Sequence, residues 1–149
     1  MYGSYEAFDQ QSGQGWRKPA ETGEYTEAAK LIDKYVRRNR ARMPAWQVRN
    51  LKFHAGQMYA FAGDYKAAIR RLENALMDVE PAESPVRWNA YVRATIAFLK
   101  GDKAELMACR EEMVGGQKAP GPVPNLEVVD GLIAQFGASY AQATSAVSR

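Results

Sequence analysis

Apolar residues recur at three- and four-residue intervals through most of this chain, and glycine, proline or a capping acid breaks each run. This period is that of amphipathic helices packed on one face. The spacing predicts a first helix over Glu24–Arg40, with Tyr25, Ala28, Leu31, Ile32 and Tyr35 on its inner face. Pro44 suits the first turn of a second helix, which Gly63 stops. Asp64 caps a third, carrying Tyr65, Ala68, Ile69, Leu72, Ala75 and Leu76 inward. Ser84-Pro85 reads as an N-cap and first-turn proline opening a fourth, which runs to Gly101. Asp102 followed by Glu105 has the spacing of a capping box and opens a fifth. Asn125 caps a sixth through Leu126, Val129, Ile133 and Phe136, ended by Gly137, with a short turn or helix near Tyr140–Ala143. No segment sustains the alternation of a strand, so the expected class is all-α.

Two stretches escape the helical pattern. Residues 1–21 are broken by Gln and Gly and predict an irregular N-terminal arm, with Tyr2, Tyr5, Phe8 and Trp16 as aromatic anchors. Residues 115–124, GGQKAPGPVP, predict a linker: their glycines and prolines leave no room for a helix. Residues 22–114 between them form a helical region, and 125–149 a C-terminal capping helix and tail.

Three segments align: GEYTEAAKLIDKYV from Gly23, GDYKAAIRRLENAL from Gly63 and GDKAELMACREEMV from Gly101. Each opens on a glycine and an acid, which end one helix and start the next. Intervals of about 40 residues are those of two-helix repeats, whose apolar stripes are buried only by stacking on neighbours. The middle segment and the helix before it resemble the tetratricopeptide repeat. Ala55-Gly56 and Tyr59 stand for that pattern's Leu-Gly and Tyr, Ala68 and Leu72 for its A-x₃-F, and Pro81 for its closing proline. The outer units depart from it: Arg93 stands where leucine belongs, Arg110 where a large apolar residue belongs, and Lys52 replaces the tryptophan. The resemblance implies a right-handed α-solenoid of about three helical hairpins over roughly 22–114. Residues 125–143 are similar to the tails of small bacterial helical proteins, which implies no function.

Composition narrows the chemistry. With one cysteine (Cys109) and one histidine (His54), the chain holds no intrachain disulfide or cysteine zinc site, and few catalytic constellations remain. His54 is expected to be a hydrogen-bonded helix residue, Cys109 a small packed one. Glu111 and Glu112 point about 100° apart on a helix and form no acid–base pair. No catalytic residue, metal or cofactor is assigned. No signal sequence or membrane span is visible, so a cytoplasmic protein is expected, although a leader removed before the numbering begins would leave no trace.

Charge placement is the best signal beyond the fold. Twenty Lys and Arg face 17 Asp and Glu over the whole chain, yet residues 30–52 carry eight bases and only one acid, Asp33. Arg37, Arg38, Arg40, Arg42, Arg49 and Lys52 make up the candidate basic patch. Residues 73–83 carry four acids and no base. The register also places Asn50, Phe53, Gln57 and Phe61 beside Trp88, Tyr91, Thr95 and Phe98 on the concave face of a solenoid. Such an aromatic and amide-lined groove suits an extended peptide or amphipathic helix. The expected function is therefore a non-enzymatic module that binds a protein or peptide partner. The alternative is polyanion or nucleic-acid binding through residues 30–52, which the net charge of +3 disfavours. The opposed charged stretches leave homodimerisation open.

Overall fold

Glycine corners organise the chain. In the structure, a computed structural model describing residues 4–116 and 120–145, Gly23, Gly63 and Gly101 adopt φ of 81°, 85° and 75°. Each corner makes the same pair of hydrogen bonds. The glycine N–H donates three residues back, to the carbonyls of Ala20, Ala60 and Phe98. The next residue's N–H donates five back, to Pro19, Tyr59 and Ala97. This Schellman-type closure satisfies carbonyls that a helix end leaves unpaired, and it needs a left-handed residue that only glycine adopts cheaply. Asp64 and Asp102 then accept the backbone N–H of Ala67 and Glu105, both at 3.1 Å, and start the following helices. Glu24 occupies the equivalent position without a side-chain cap.

Every regular element among the described residues is helical. In order they are a π-helical turn (Glu6–Gln10), α1 (Arg17–Glu21), α2 (Tyr25–Asn39), a 3₁₀ turn (Arg40–Arg42), α3 (Ala45–Phe61), α4 (Tyr65–Glu73), α5 (Trp88–Lys100), α6 (Lys103–Gly115), α7 (Leu126–Ala134) and α8 (Tyr140–Ser145). The chain divides into two compact units, Met1–Ala75 and Leu76–Arg149.

In the first unit α3 packs on both α2 and α4, and α1 packs on α2. Ile32, Leu51 and Leu72 are fully buried, each contributing roughly 1.5–3 kcal/mol of apolar transfer. Gly56 lets α3 and α4 approach closely: a Cβ built there would lie 2.7 Å from Leu72 Cγ and 3.2 Å from the Ala68 carbonyl oxygen. Gly56 on α3 is thus packed directly against Leu72 and the Ala68 backbone of α4. In the second unit α6 packs on α5 and α7, and α7 on α5 and α8. Leu106, Val129, Leu132 and Tyr140 form its core, with Phe98 edge-on to Phe136 and Tyr140.

Four local expectations are corrected. The N-terminal arm is not irregular throughout. It contains the π-helical turn and α1, because the buried Phe8 stacks on Tyr35 at 4.1 Å and the buried Trp16 donates to the wholly buried Asp9 at 2.8 Å. Tyr2 lies outside the described residues. The third helix ends at Glu73 rather than Leu76. The fourth begins at Trp88 rather than Ser84-Pro85, because the Ser84 hydroxyl donates to the Val86 carbonyl instead of accepting an amide N–H. The loop before it is held by Asn89, whose side chain accepts from the Met77 N–H (2.8 Å) and donates to the Met77 carbonyl (2.9 Å). The Arg87 guanidinium also donates to the carbonyls of Pro81 and Ser84. Asn125 precedes α7 in a left-handed conformation, φ 66°, and makes no side-chain cap, while α7 stops at Ala134, short of Gly137. Of the expected linker, residues 117–119 lie outside the described residues and 120–125 form no helix.

Candidate functional site: a basic cleft on the first unit

Three helices bring cations to one place. The face of α2 that carries Asp33, Val36 and Arg37 repeats at helical spacing and continues into the 3₁₀ turn at Arg40. Lys and Arg are favoured at this end of α2 because its macrodipole is negative there. Lys52 comes from α3, Arg71 from α4 and Asn74 from the residue after it. Together these seven residues line a cleft of about 310 Å³.

Asp33 organises its floor. Arg71 donates to it through Nε (3.0 Å to Oδ1) and Nη2 (2.9 Å to Oδ2), and the Tyr59 hydroxyl donates to Oδ2 at 3.0 Å. The two-pronged pair is partly buried, with side-chain exposures of 25% and 17%, and the guanidinium also lies 5.1 Å from the Tyr59 ring centroid. The Asp33 hydrogen bond raises the Arg71 pKa further, while burial beside this carboxylate raises that of Tyr59. Asp33 therefore serves as an internal counter-ion for Arg71. Among the described residues no carboxylate pairs with Arg37, Arg40 or Lys52. Burial lowers the Lys52 pKa; Asp33 pulls it back up more than any one of Arg71, Arg40 and Arg37 pushes it down. The cleft holds more positive charge than its own residues neutralise.

The sequence-predicted basic patch divides accordingly. Arg37, Arg40 and Lys52 line the cleft, whereas Arg38, Arg42 and Arg49 do not, and Arg42 donates to Asn39 at 2.9 Å. Arg71, which sequence reasoning did not single out, completes the cleft. Its partner Asp33 is 38 residues away, beyond any helical period. Lys52 occupies the position where the tetratricopeptide pattern has tryptophan. Unlike Lys52, the other two departures from that pattern are in ion pairs: Arg93 with Glu112 between α5 and α6, and Arg110 with Asp130 (2.5 Å) between α6 and α7.

The eight residues expected to line a groove lie on α3 of the first unit and α5 of the second. Phe53, Tyr91, Thr95 and Phe98 are buried, and the Thr95 hydroxyl donates to the Tyr91 carbonyl. Asn50 donates to the Tyr5 hydroxyl, Phe61 stacks on Tyr25 at 5.1 Å, and Gln57 is 3.2 Å from His54 Nδ1. Trp88 is half-buried and edge-on to Tyr91. Much of this set is thus occupied within its own unit.

A second polar cluster surrounds Asp9. Besides Trp16, its carboxylate takes a hydrogen bond from Gln10 and lies 3.6 Å from His54 Nε2, while the His54 ring stacks on Trp16 at 5.2 Å. The Tyr5 hydroxyl borders this cluster, and burial pushes its pKa up to about 12. Burial lowers the His54 pKa, with Asp9 pulling the other way. A neutral imidazole between a carboxylate and an amide fits a structural latch for the arm.

Cys109 is buried, and its thiol donates to Glu105 at 3.4 Å. Burial and this carboxylate push its pKa up to about 12, so it is a poor nucleophile. No group of three or more His, Cys, Asp and Glu among the described residues could hold a metal ion, and no described helix is long and apolar enough to cross a membrane. No family model, curated protein or solved structure matches the chain.

Proposed function

We propose that the chain is a non-enzymatic interaction module that docks an acidic segment of a protein partner on the first unit, with an anionic side chain seated in the α2–α4 cleft. One observation carries this reading: Arg37, Arg40 and Lys52 converge beside an Arg71 whose charge Asp33 already balances. Clustered cations attract an anionic partner and speed its encounter. The helical scaffold itself we read as tetratricopeptide-like hairpins of an α-solenoid, supported by three hydrogen-bonded corners of one geometry and by the Gly56–Leu72 contact. The buried, unpaired thiol of Cys109 suits a reducing, cytoplasmic setting.

Fluorescence anisotropy with a labelled Glu/Asp-rich peptide tests the docking. The expected result is saturable binding that weakens as salt rises and that Lys52→Gln and Arg40→Gln each reduce, with helical circular dichroism unchanged. Binding that ignores both substitutions would move the site elsewhere and refute the assignment. A nucleic-acid or polyanion reading rests on the same cations. It lacks a base-stacking platform, because no aromatic residue lines the cleft.

A further inference from the structure

The cleft has features of a site for a more highly charged group than a carboxylate. Asp33 gives its oxygens to Arg71 and Tyr59 and leaves Arg37, Arg40 and Lys52 uncompensated. A single carboxylate ligand would neutralise only one of them. A phosphoryl group carries close to two negative charges near neutral pH and presents three strong acceptor oxygens. Guanidinium forks and a lysine point charge recognise that chemistry particularly well. Arg71 is already oriented, because Asp33 holds its Nε and Nη2. Such preorganisation reduces the entropy lost on binding. Val36 and Asn74 complete the lining of the cleft, whose volume of about 310 Å³ is room for one phosphoryl side chain.

We propose that the α2–α4 cleft is a phosphoryl-binding site, formed by Arg37, Arg40, Lys52 and Arg71, whose ligand is a phosphorylated serine or threonine on the acidic segment of a protein partner. This rests on the docking reading above and narrows it to phosphorylation-dependent binding. Burial and, to a lesser extent, the neighbouring arginines lower the Lys52 pKa; a dianion in the cleft offsets the arginine charges, so occupancy shifts that pKa back upward.

The test uses the full chain and three labelled probes: an acidic peptide containing one serine, the same peptide phosphorylated at that serine, and a single-stranded oligonucleotide of matched charge. Anisotropy is measured at one fixed ionic strength. The phosphopeptide is expected to bind about tenfold more tightly than its unmodified twin, as extra charge-assisted hydrogen bonds allow. Lys52→Gln and Arg40→Gln, two mild changes at partly exposed positions, should each shrink that ratio to below about threefold while circular dichroism stays native. Inorganic phosphate should displace the phosphopeptide at concentrations where acetate does not. Equal affinity for the two peptides would overturn the phosphoryl assignment and leave acidic docking standing. Failure of both peptides would overturn both readings. Tighter binding of the oligonucleotide than of the phosphopeptide would overturn the assignment in favour of a nucleic-acid surface.

Discussion

Gly56 offers a quantitative test of the contact on which the first unit is built. Replacing it with alanine improves local helix propensity, worth roughly 1 kcal/mol in a helix interior. The new methyl would also stand 2.7 Å from Leu72 Cγ and 2.8 Å from its Cδ2, well inside contact distance, between two helices fixed by their glycine corner. Overpacking of this kind costs about 1–3 kcal/mol. The net expectation for Gly56→Ala is a loss of about 1 kcal/mol, or roughly 2–4 °C in Tm for a chain of this length. Leu72→Ala alone should cost about 3 kcal/mol, since it empties a fully buried site. In that background the Gly56 methyl no longer meets the leucine, only the Ala68 carbonyl oxygen at 3.2 Å, so helix propensity should dominate and adding it should stabilise by about 1 kcal/mol at most. The sign of one substitution therefore reverses with its neighbour, giving a coupling of at most about 2 kcal/mol. Urea unfolding of the four proteins, followed by circular dichroism, measures it. Additivity within about 0.5 kcal/mol, or stabilisation by Gly56→Ala in the native background, would refute the close approach of α3 and α4.

Three further outcomes follow from the polar groups. Asp33→Asn should destabilise the first unit by about 2 kcal/mol in urea unfolding, because it removes a charge that three hydrogen bonds use. Tyr59→Phe, which deletes only one of those bonds, should cost about half as much. His54 has a lowered pKa in the folded chain, so on acidification the unfolded chain takes up the proton first. Stability should therefore fall as pH drops through the ordinary histidine value of about 6.5, by at most about 1.4 kcal/mol per pH unit, and level off once the folded imidazole is also protonated. His54→Gln should remove that part of the pH dependence, and a pH-independent difference between the two proteins would contradict the latch. Cys109 should resist a thiol reagent at pH 8 and react only as the second unit opens; rapid labelling with native circular dichroism would contradict its burial.

Those elements of the fold that depend on neighbours in sequence were legible before any coordinates. Gly63 and Gly101 each follow a helical run, Gly23 shares their pattern of a glycine before an acid, and hydrogen bonds three and five residues long close all three corners. The periodicity of α2 and α4 likewise set their inner faces, since residues three or four apart on a helix share a side whatever surrounds it. Where the same local logic met a competing long-range partner, it failed. Ser84-Pro85 has the composition of a helix start, yet Asn89 and Arg87 hold the preceding loop through backbone groups of residues 77–84. The arm's glycines and glutamines suggest irregularity, yet Asp9, Trp16 and His54 fold it onto α3.

The candidate site follows the same division. Residues 30–52 announced an excess of base by simple counting, because charge is a property of composition. Which of those bases act together is a matter of distance in space. Arg37, Arg40 and Lys52 meet because α2 and α3 pack side by side, and Arg71 joins them from α4 only because Gly56 lets that helix lie close. The Asp33–Arg71 pair spans 38 residues, and no pattern along a chain encodes a contact created by helix packing. Local hydrogen bonding and side-chain periodicity determined the helices and their corners; the burial of three apolar faces against one another decided where the charges gather.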